Sequence, residues 1–138
     1  GGTILTGGNR RTVSGRCENG YFIEPTVIEG LSYDCRTNQE EIFGPVVTIM
    51  PFETEEEVLK YANSVQYGLA STVWTENLSR ATRMAHHIEA GIVWVNCWLL
   101  RDLRTPFGGV KASGVGREGG FDALEFFTEP KNVCIKMY

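Results

Sequence analysis

The chain lacks several common sequence signals, and each absence excludes a class of protein. None of its apolar runs approaches the roughly 20 residues that a membrane-spanning helix needs. No basic segment followed by an apolar core stands near the start, so we expect no secretory signal and a cytoplasmic location. Internal repeats and low-complexity stretches are also missing, so a repeat architecture is not indicated.

Basic residues are too few and too scattered for a nucleic-acid or anionic-membrane surface. The 13 Lys and Arg are outnumbered by 17 Asp and Glu, which gives a formal net charge of -4. A length of 138 residues is enough for one domain. The chain opens on Gly1-Gly2 rather than on Met, so we expect either a processed protein or a piece of a longer one, and we favour the piece.

The cysteines and histidines show no metal-binding pattern. None of the four cysteines lies in a C-x-x-C pair, which removes the common zinc and thioredoxin signatures. Cys97 and Cys134 stand inside apolar runs, where a cysteine is typically a small buried hydrophobe. His86 and His87 are neighbours on a predicted helix, so their side chains diverge by about 100°. We expect free thiols in a reducing compartment and no metal site.

Apolar and alternating runs predict a series of short strands. The candidates are residues 3–5, 21–23, 26–28, 46–50, 71–74, 92–95 and 132–137. Pro25 separates the second candidate from the third, because proline interrupts a strand. The run at 46–50 is continuously apolar, which is typical of a strand covered on both faces.

Helices are predicted between the later strands. Thr54 followed by Glu57 forms a capping box, and Gly68 is expected to end that helix. Asn77 is expected to cap the next helix, although Asn77-Leu78-Ser79 is also a glycosylation sequon by letter. The apolar stripe of that second helix is expected to be Leu78, Ala81, Ala85 and Ile88. A brief helix at 34–40 and another at 122–127 complete the pattern.

The order strand, helix, strand, helix, strand over residues 46–95 predicts an α/β fold. Short links between these elements predict two right-handed crossovers and a parallel sheet. Ligands of such sheets bind beyond the carboxyl ends of the strands. We therefore expect a site in the segment that follows Val95, and the alternating strand near the end of the chain is expected to pair with a second subunit or a distant domain.

A glycine-rich stretch, residues 105–119, lies in that segment. Five glycines and a proline in 15 residues exclude an ordinary helix or central strand, so we expect a shaped loop. Its last part satisfies G-x-G-x-x-G by letter. A dinucleotide-binding fingerprint would need a strand just before it and a helix just after it, and neither is predicted there.

Two acids and an aromatic residue precede the strand at 46–50. Glu40 and Glu41 are followed by Phe43 and by a Gly-Pro break. One interpretation is a solvated acid pair that ends a helix, with Phe43 in the core. The other is a carboxylate that accepts hydrogen bonds from hydroxyl groups beside an aromatic platform, which suits a sugar-bearing ligand such as a nucleotide ribose.

Two arginines flank an apolar stretch at the predicted ligand edge. Arg101 and Arg104 can each bind a carboxylate through two parallel hydrogen bonds. The alternative is a pair of solvated loop cations, with Asp102 as one neighbour. The sequence alone leaves both interpretations open.

Several motifs, in their order and spacing, resemble the aldehyde dehydrogenase superfamily over essentially the whole chain. The matching segments are residues 41–45, 68–70, 91–96, 106–109, Lys111, residues 113–114, 116–118 and 127–129. The stretch Asn96 to Arg104 looks closest to the branch that oxidises 2-hydroxymuconic or 2-aminomuconic semialdehydes. The likeness is to the carboxyl-terminal quarter to third of a subunit of this family.

The resemblance implies a role for each matching residue. Glu41 resembles a glutamate that hydrogen-bonds the nicotinamide ribose of NAD, and Phe43 resembles the aromatic residue beside that ribose. Phe107 resembles a wall of the aldehyde tunnel. Glu118 resembles an acid that relays protons out of the site in some members. Residues 99–101 occupy the variable loop that selects the substrate, so Leu99 and Arg101, with Arg104, are the expected substrate-binding residues.

The family mechanism begins with the attack of a cysteine thiolate on the aldehyde. Hydride transfer to NAD and hydrolysis of the thioester follow. The resemblance places the nucleophile, the general base and the dinucleotide-binding half upstream of this chain. We therefore expect the chain alone to be inactive, to lack part of its core, and to bind NAD weakly; NADP is not excluded.

The resemblance also divides the chain into parts. Residues 1–118 would be part of a catalytic domain, 119–130 a connecting helix and linker, and 131–138 an oligomerisation strand of a homodimer or homotetramer. Two alternatives remain. The enzyme could be a broad aliphatic or betaine-type aldehyde dehydrogenase, or the chain could be a non-catalytic piece that acts only in subunit pairing.

Overall fold

Five short strands lie in residues 1–65, the first of two units in this computed structural model, which describes residues 1–138. In chain order they are β1 (Thr3–Thr6), β2 (Arg10–Arg11), β3 (Phe22–Ile23), β4 (Thr26–Glu29) and β5 (Val46–Ile49). The central strand β4 is antiparallel to β1 and parallel to β5. β2 and β3 form a separate antiparallel pair. Pro25 lies between β3 and β4, as predicted.

The expectation that residues 46–50 are covered on both faces is wrong for this chain. Val46 and Thr48 are half-buried, but Val47 and Ile49 on the opposite face are exposed. The first predicted crossover is also wrong, because β5 pairs with β4 and not with the strand near residue 71. A continuous apolar run identifies a strand but does not identify its neighbour.

The helices of the first unit are α1 (Arg36–Gln39) and α2 (Glu55–Asn63). The predicted cap of α2 is confirmed: the Thr54 hydroxyl accepts from the backbone N–H of Glu57 at 3.1 Å. The Glu57 carboxylate accepts from the hydroxyl of Tyr61 and from the backbone N–H of Glu53, and these bonds lower its pKa. Gly68 does not end α2. The helix stops at Asn63, where Ser64 takes the cap position.

The second unit, residues 66–138, contains the predicted parallel crossover. Its strands are β6 (Tyr67–Gly68), β7 (Ala70–Val73), β8 (Ile92–Val95) and β9 (Val110–Lys111), and its helices are α3 (Leu78–His87) and α4 (Gly120–Phe127). β7 and β8 are parallel and α3 joins them, while β6 and β9 are antiparallel. The second predicted crossover is therefore confirmed, and the loop after β8 begins at the carboxyl end of a parallel pair.

Helix α3 packs on β7 and β8 through a stripe that differs from the predicted one. The Asn77 cap is confirmed, since its side-chain oxygen accepts from the backbone N–H of Arg80 at 2.9 Å. Ala81 and Met84 are the buried residues of the helix, whereas Leu78 at its first position is 81% exposed. Leu78 was therefore wrongly assigned to the buried face.

The buried core of the whole chain is very small. Its buried hydrophobic residues are Ala81, Met84 and Trp94, and no large side chain is fully buried. Thr26 is the buried polar residue, and its hydroxyl is satisfied by Gly8 and Glu24. Such a core agrees with the expectation that part of the packing surface belongs elsewhere.

The end of the chain has no regular structure after α4. Residues 128–138 are all exposed and form no strand within the single chain. A strand exists only when it is paired, so the assignment of 131–138 as an oligomerisation strand stays a prediction. None of the helices combines the length and the apolar character that a membrane span requires.

Candidate active site

The loop that follows β8 is fixed at its start by Asn96. The side-chain oxygen of Asn96 accepts from the backbone N–H of Thr75, and its side-chain nitrogen donates to the Thr75 carbonyl, both at 2.8 Å. The backbone of Asn96 has a φ of 53°, in the left-handed region that asparagine tolerates better than most residues. The chain therefore turns sharply at the carboxyl end of the parallel pair.

Trp94 holds the middle of the same loop. Its indole N–H donates to the carbonyl of Leu100 at 2.8 Å, and its ring packs edge-on against Trp98 with centroids 5.2 Å apart. Leu99, a predicted substrate-selecting residue, has a φ of 56° and an exposed side chain. Positive φ at a non-glycine residue costs about 1–3 kcal/mol and is concentrated at functional sites. The loop thus presents Leu99 outwards from an anchored backbone.

Arg101 comes next, and it meets two other predicted site residues. Its guanidinium carbon lies 4.2 Å from the centre of the Phe107 ring, and its Nη2 forms an ion pair with the Glu118 carboxylate. The Arg101 side chain is only 34% exposed. The structure therefore brings together Arg101, Phe107 and Glu118, which are far apart in sequence; we call these three residues the arginine cluster.

The glycine-rich loop closes on itself to form this cluster. Phe107 and Glu118 exchange two backbone hydrogen bonds of 2.8 Å, as an isolated antiparallel bridge. Gly108 makes this approach possible, because a Cβ there would lie 2.7 Å from the carbonyl oxygen of Gly116. The guanidinium of Arg117 donates to the carbonyls of Gly109 and Gly116 and ties the two arms together.

The letters G-x-G-x-x-G do not build a dinucleotide site here. Helix α4, predicted over residues 122–127, begins two residues earlier at Gly120 and so follows the motif directly. However, the preceding strand β9 pairs antiparallel with β6, so no βαβ unit surrounds the motif. A Cβ at Gly116 would meet the Phe126 ring and one at Gly119 would meet the Thr105 carbonyl. These glycines make room for protein atoms.

A cavity of about 340 Å³ lies beside the arginine cluster, within the second unit. Phe107 and Glu118 line it, together with Leu69, Arg117, the rings of Phe126 and Phe127, and the loop around Ser113. The volume suits a small organic molecule. An apolar wall with one carboxylate at its edge is compatible with the predicted aldehyde-tunnel role of Phe107.

Arg104 is engaged differently from Arg101. Its guanidinium grips both carboxylate oxygens of Asp102, and this contact holds the pKa of Asp102 below its ordinary value. Arg104 is highly exposed and forms no hydrogen bond or ion pair with the arginine cluster. The local acid that the sequence offered as an alternative partner is therefore the observed partner of Arg104, whereas Arg101 has a different one.

The two predicted cofactor residues lie in the first unit. Glu41 is exposed and makes no hydrogen bond or ion pair, and Phe43 is 94% exposed. The neighbouring Glu40 forms a 2.8 Å ion pair with Arg36. The interpretation that places Phe43 in the core is thus wrong for this chain. A free carboxylate and a bare aromatic ring are groups that fit a ribose and its base.

Sequence reasoning missed the residues that support the site. Trp94 and Asn96 were named only as members of a predicted strand or of a family motif, without a role at the site. Arg117 was also not assigned a role. A signal was present for the tryptophan, because an indole in a buried strand needs an acceptor for its N–H. No signal identified Leu100 as that acceptor. The four cysteines are free thiols, and no group of three His, Cys, Asp or Glu is placed to hold a metal.

Comparison with known proteins gives one family. The model of the aldehyde dehydrogenase family matches residues 1–133. The chain is 55% identical over 137 residues to 2-hydroxymuconic semialdehyde dehydrogenase from Pseudomonas putida, covering 99% of the chain and 28% of that protein. It is 53% identical over 121 residues to 2-aminomuconic semialdehyde dehydrogenase from Mus musculus, covering 88% of the chain and 25% of that protein. The chain thus spans little more than a quarter of the relatives it matches.

Solved structures agree in fold. An indole-3-acetaldehyde dehydrogenase from P. syringae, a Cys-to-Ala mutant in complex with NAD+ and IAA, superposes with a TM-score of 0.89 at 41% identity, covering 99% of this chain and 27% of that one. An NAD+ complex of an aldehyde dehydrogenase from Bacillus cereus gives a TM-score of 0.85 at 45% identity, covering 94% of this chain and 25% of that one.

Proposed function

Because the chain belongs to the aldehyde dehydrogenase family, we propose that it is the carboxyl-terminal part of an NAD-dependent enzyme. The proposed reaction oxidises an aldehyde that carries a carboxylate, a muconic semialdehyde, to the corresponding acid. The names of the most similar relatives support the substrate, and the NAD+ complexes of structural neighbours support the cofactor.

The observation that carries the substrate proposal is the position of Arg101. Its guanidinium is anchored beside Phe107, which lines the cavity, and its only ionic partner uses a single nitrogen. A guanidinium has five N–H donors, so an edge remains available for a substrate carboxylate. Arg104 is the weaker candidate because Asp102 already occupies its fork.

The first unit contributes to cofactor binding in this proposal. Glu41 would accept hydrogen bonds from the ribose hydroxyls and Phe43 would pack beside them, since neither group is used inside the chain. NAD+ would supply the hydride acceptor. Whether the enzyme prefers NAD or NADP depends on residues that contact the second ribose, and the proposal assigns none of those to this chain.

The thiol chemistry is assigned to residues upstream of this chain. Cys97 is the cysteine nearest the arginine cluster in sequence, but its thiol has no hydrogen bond to a base, and only its backbone carbonyl is engaged, by the Thr72 hydroxyl. We therefore expect the isolated chain to be inactive. Glu118 lines the cavity and is also exposed to solvent. Both properties are compatible with its proposed role as a proton relay between the site and solvent.

The test uses the full-length enzyme that contains this chain. Arg101→Ala should raise KM for a muconic semialdehyde about 10- to 150-fold, the equivalent of about 1.5–3 kcal/mol for a charge-assisted hydrogen bond. Arg104→Ala, the matched control, should change KM much less. A neutral aldehyde of similar length should be unaffected by either change. If both variants keep the wild-type KM for the anionic substrate, the carboxylate-binding role is refuted.

The alternatives predict other outcomes. A broad aliphatic or betaine-type enzyme would oxidise neutral or cationic aldehydes at least as fast as anionic ones. A non-catalytic pairing piece would show no oxidation with any aldehyde, even when its natural upstream sequence is present. Comparing kcat/KM for anionic, neutral and cationic aldehydes separates these three cases.

A further inference from the structure

Glu118 has a structural relation to Arg101 that a proton relay does not require. Its carboxylate forms an ion pair with Nη2 of the guanidinium, and its backbone is hydrogen-bonded on both sides to Phe107. The ring of Phe107 in turn lies under the same guanidinium, 4.2 Å from its central carbon. One bridge therefore fixes both surfaces against which Arg101 rests.

We propose that Glu118 is a positioning residue that determines substrate specificity, by holding Arg101 over Phe107 with one donor edge free for the carboxylate of the substrate. This inference rests on the proposed function, in which Arg101 binds that carboxylate. It assigns Glu118 a role before and during substrate binding, a role separate from the proton relay.

The geometry of the contact supports positioning. The Glu118 carboxylate accepts a hydrogen bond from one nitrogen of the Arg101 guanidinium. The contact therefore orients the guanidinium and leaves its other N–H donors available. The backbone before Arg101 is already fixed, because the carbonyl of Leu100 accepts the Trp94 indole N–H. The remaining freedom lies in the long arginine side chain, whose rotamer entropy of about 2 kcal/mol would otherwise be lost on binding substrate.

The same contact has an electrostatic cost. Glu118 and a substrate carboxylate would both lie against Arg101, and two like charges that share one cation repel each other. Orientation and charge can be separated by substitution. Glu118→Gln keeps an acceptor oxygen at the same reach and removes the charge, whereas Glu118→Ala removes both, and Glu118→Asp keeps the charge but shortens the reach.

The measurement is the ratio of kcat/KM for a muconic semialdehyde to kcat/KM for a neutral aldehyde of similar length, in the full-length enzyme. We expect Glu118→Ala and Glu118→Asp to lower this ratio about tenfold, mainly through KM of the anionic substrate. Glu118→Gln should keep the ratio at or above the wild-type value. Glu125→Gln, which removes an exposed carboxylate on α4, is the matched control and should leave the ratio unchanged.

The opposite results are equally specific. If Ala, Asp and Gln at position 118 slow both substrates by the same factor through kcat, Glu118 acts in proton transfer and the positioning role is refuted. A Gln variant that lowers the ratio as much as the Ala variant also refutes it. Should the Ala variant fail to fold, the comparison of Asp with Gln still decides.

Arg101→Ala distinguishes this inference from the function on which it rests. If Arg101→Ala leaves the ratio unchanged, the substrate proposal fails. If Arg101→Ala lowers the ratio but Glu118→Ala does not, only the positioning inference fails. In the double variant, Glu118→Ala should have no further effect on the ratio, because its action passes through the arginine.

Discussion

Phe107 in the second unit and Phe43 in the first are both aromatic residues expected to line a site, but only Phe107 is held by the chain itself. Phe107 is bridged to Glu118 and covered by Arg101. Phe43 is almost fully exposed, and Glu41 beside it has no partner. The arginine cluster is thus pre-assembled by local contacts, whereas Glu41 and Phe43, the proposed cofactor residues, are left exposed.

This difference follows from the backbone around each residue. The segment 107–118 folds back on itself, and its glycines allow the two arms to approach closely. One stretch of chain therefore supplies both Phe107 and Glu118 to the site. The segment 40–45, in contrast, leads from the end of the short helix α1 into β5 and does not fold back on itself. A substitution should therefore disturb folding in the first case and ligand binding in the second.

The largest expected effect concerns Gly91, which lies against the glycine-rich loop. A Cβ at Gly91 would lie 1.6 Å from the carbonyl oxygen of Gly108, and backbone cannot move aside cheaply. Gly91→Ala should destabilise the protein by about 3 kcal/mol or more. Gly44→Ala in the first unit, where the nearest atom is 3.9 Å away, should cost below about 0.5 kcal/mol.

Denaturant unfolding of the full-length protein measures both variants. Equal losses at the two glycines would mean that the backbone around Gly44 is as tightly determined as that around Gly91. The contrast between the two units would then be wrong.

An intermediate effect is expected at Glu41, and it should appear in cofactor binding alone. Glu41→Gln should weaken NAD binding about 10- to 150-fold, the equivalent of about 1.5–3 kcal/mol for hydrogen bonds to a charged acceptor. The free energy of unfolding should not change, because Glu41 has no partner in the chain. Glu40→Gln is the matched control, since Glu40 pairs only with the exposed Arg36.

Titration of NAD into the full-length enzyme, followed by protein fluorescence, provides the measurement. A larger loss of NAD affinity for Glu40→Gln than for Glu41→Gln would show that Glu40, and not Glu41, contacts the ribose. No loss in either variant would remove the cofactor role from this segment.

The smallest expected effect concerns Trp94. Trp94→Phe keeps an aromatic ring in the buried strand but leaves the Leu100 carbonyl without its N–H donor, which should cost about 1–2 kcal/mol. Trp74→Phe is the control, because Trp74 is 66% exposed and makes no hydrogen bond. Hydrogen exchange should accelerate in the loop after β8 in the first variant only. Unchanged exchange there would show that the indole does not anchor the loop.

Much of the local structure could be predicted from sequence because its causes are local. The caps at Thr54 and Asn77 each involve a side chain and an N–H three residues away. The parallel crossover over residues 70–95 follows from three adjacent elements. In contrast, the partner of β5 and the early end of α2 depend on contacts that a periodic pattern does not encode.

The candidate site shows the same division. Residue types and the family resemblance named Arg101, Phe107 and Glu118 as site residues, and the structure brings the three together, but nothing in the sequence predicted that Glu118 pairs with Arg101. That pairing requires Phe107 and Glu118 to lie opposite each other, which glycine contacts between residues 108 and 116 decide. Close backbone approach is a three-dimensional property, and the letters show only that glycine permits it.

The scarcity of buried side chains affects how the chain associates. A polypeptide that keeps so many large apolar residues in water gains stability when another surface covers them. Association and ordering would then occur together, with a negative heat-capacity change that calorimetry can detect.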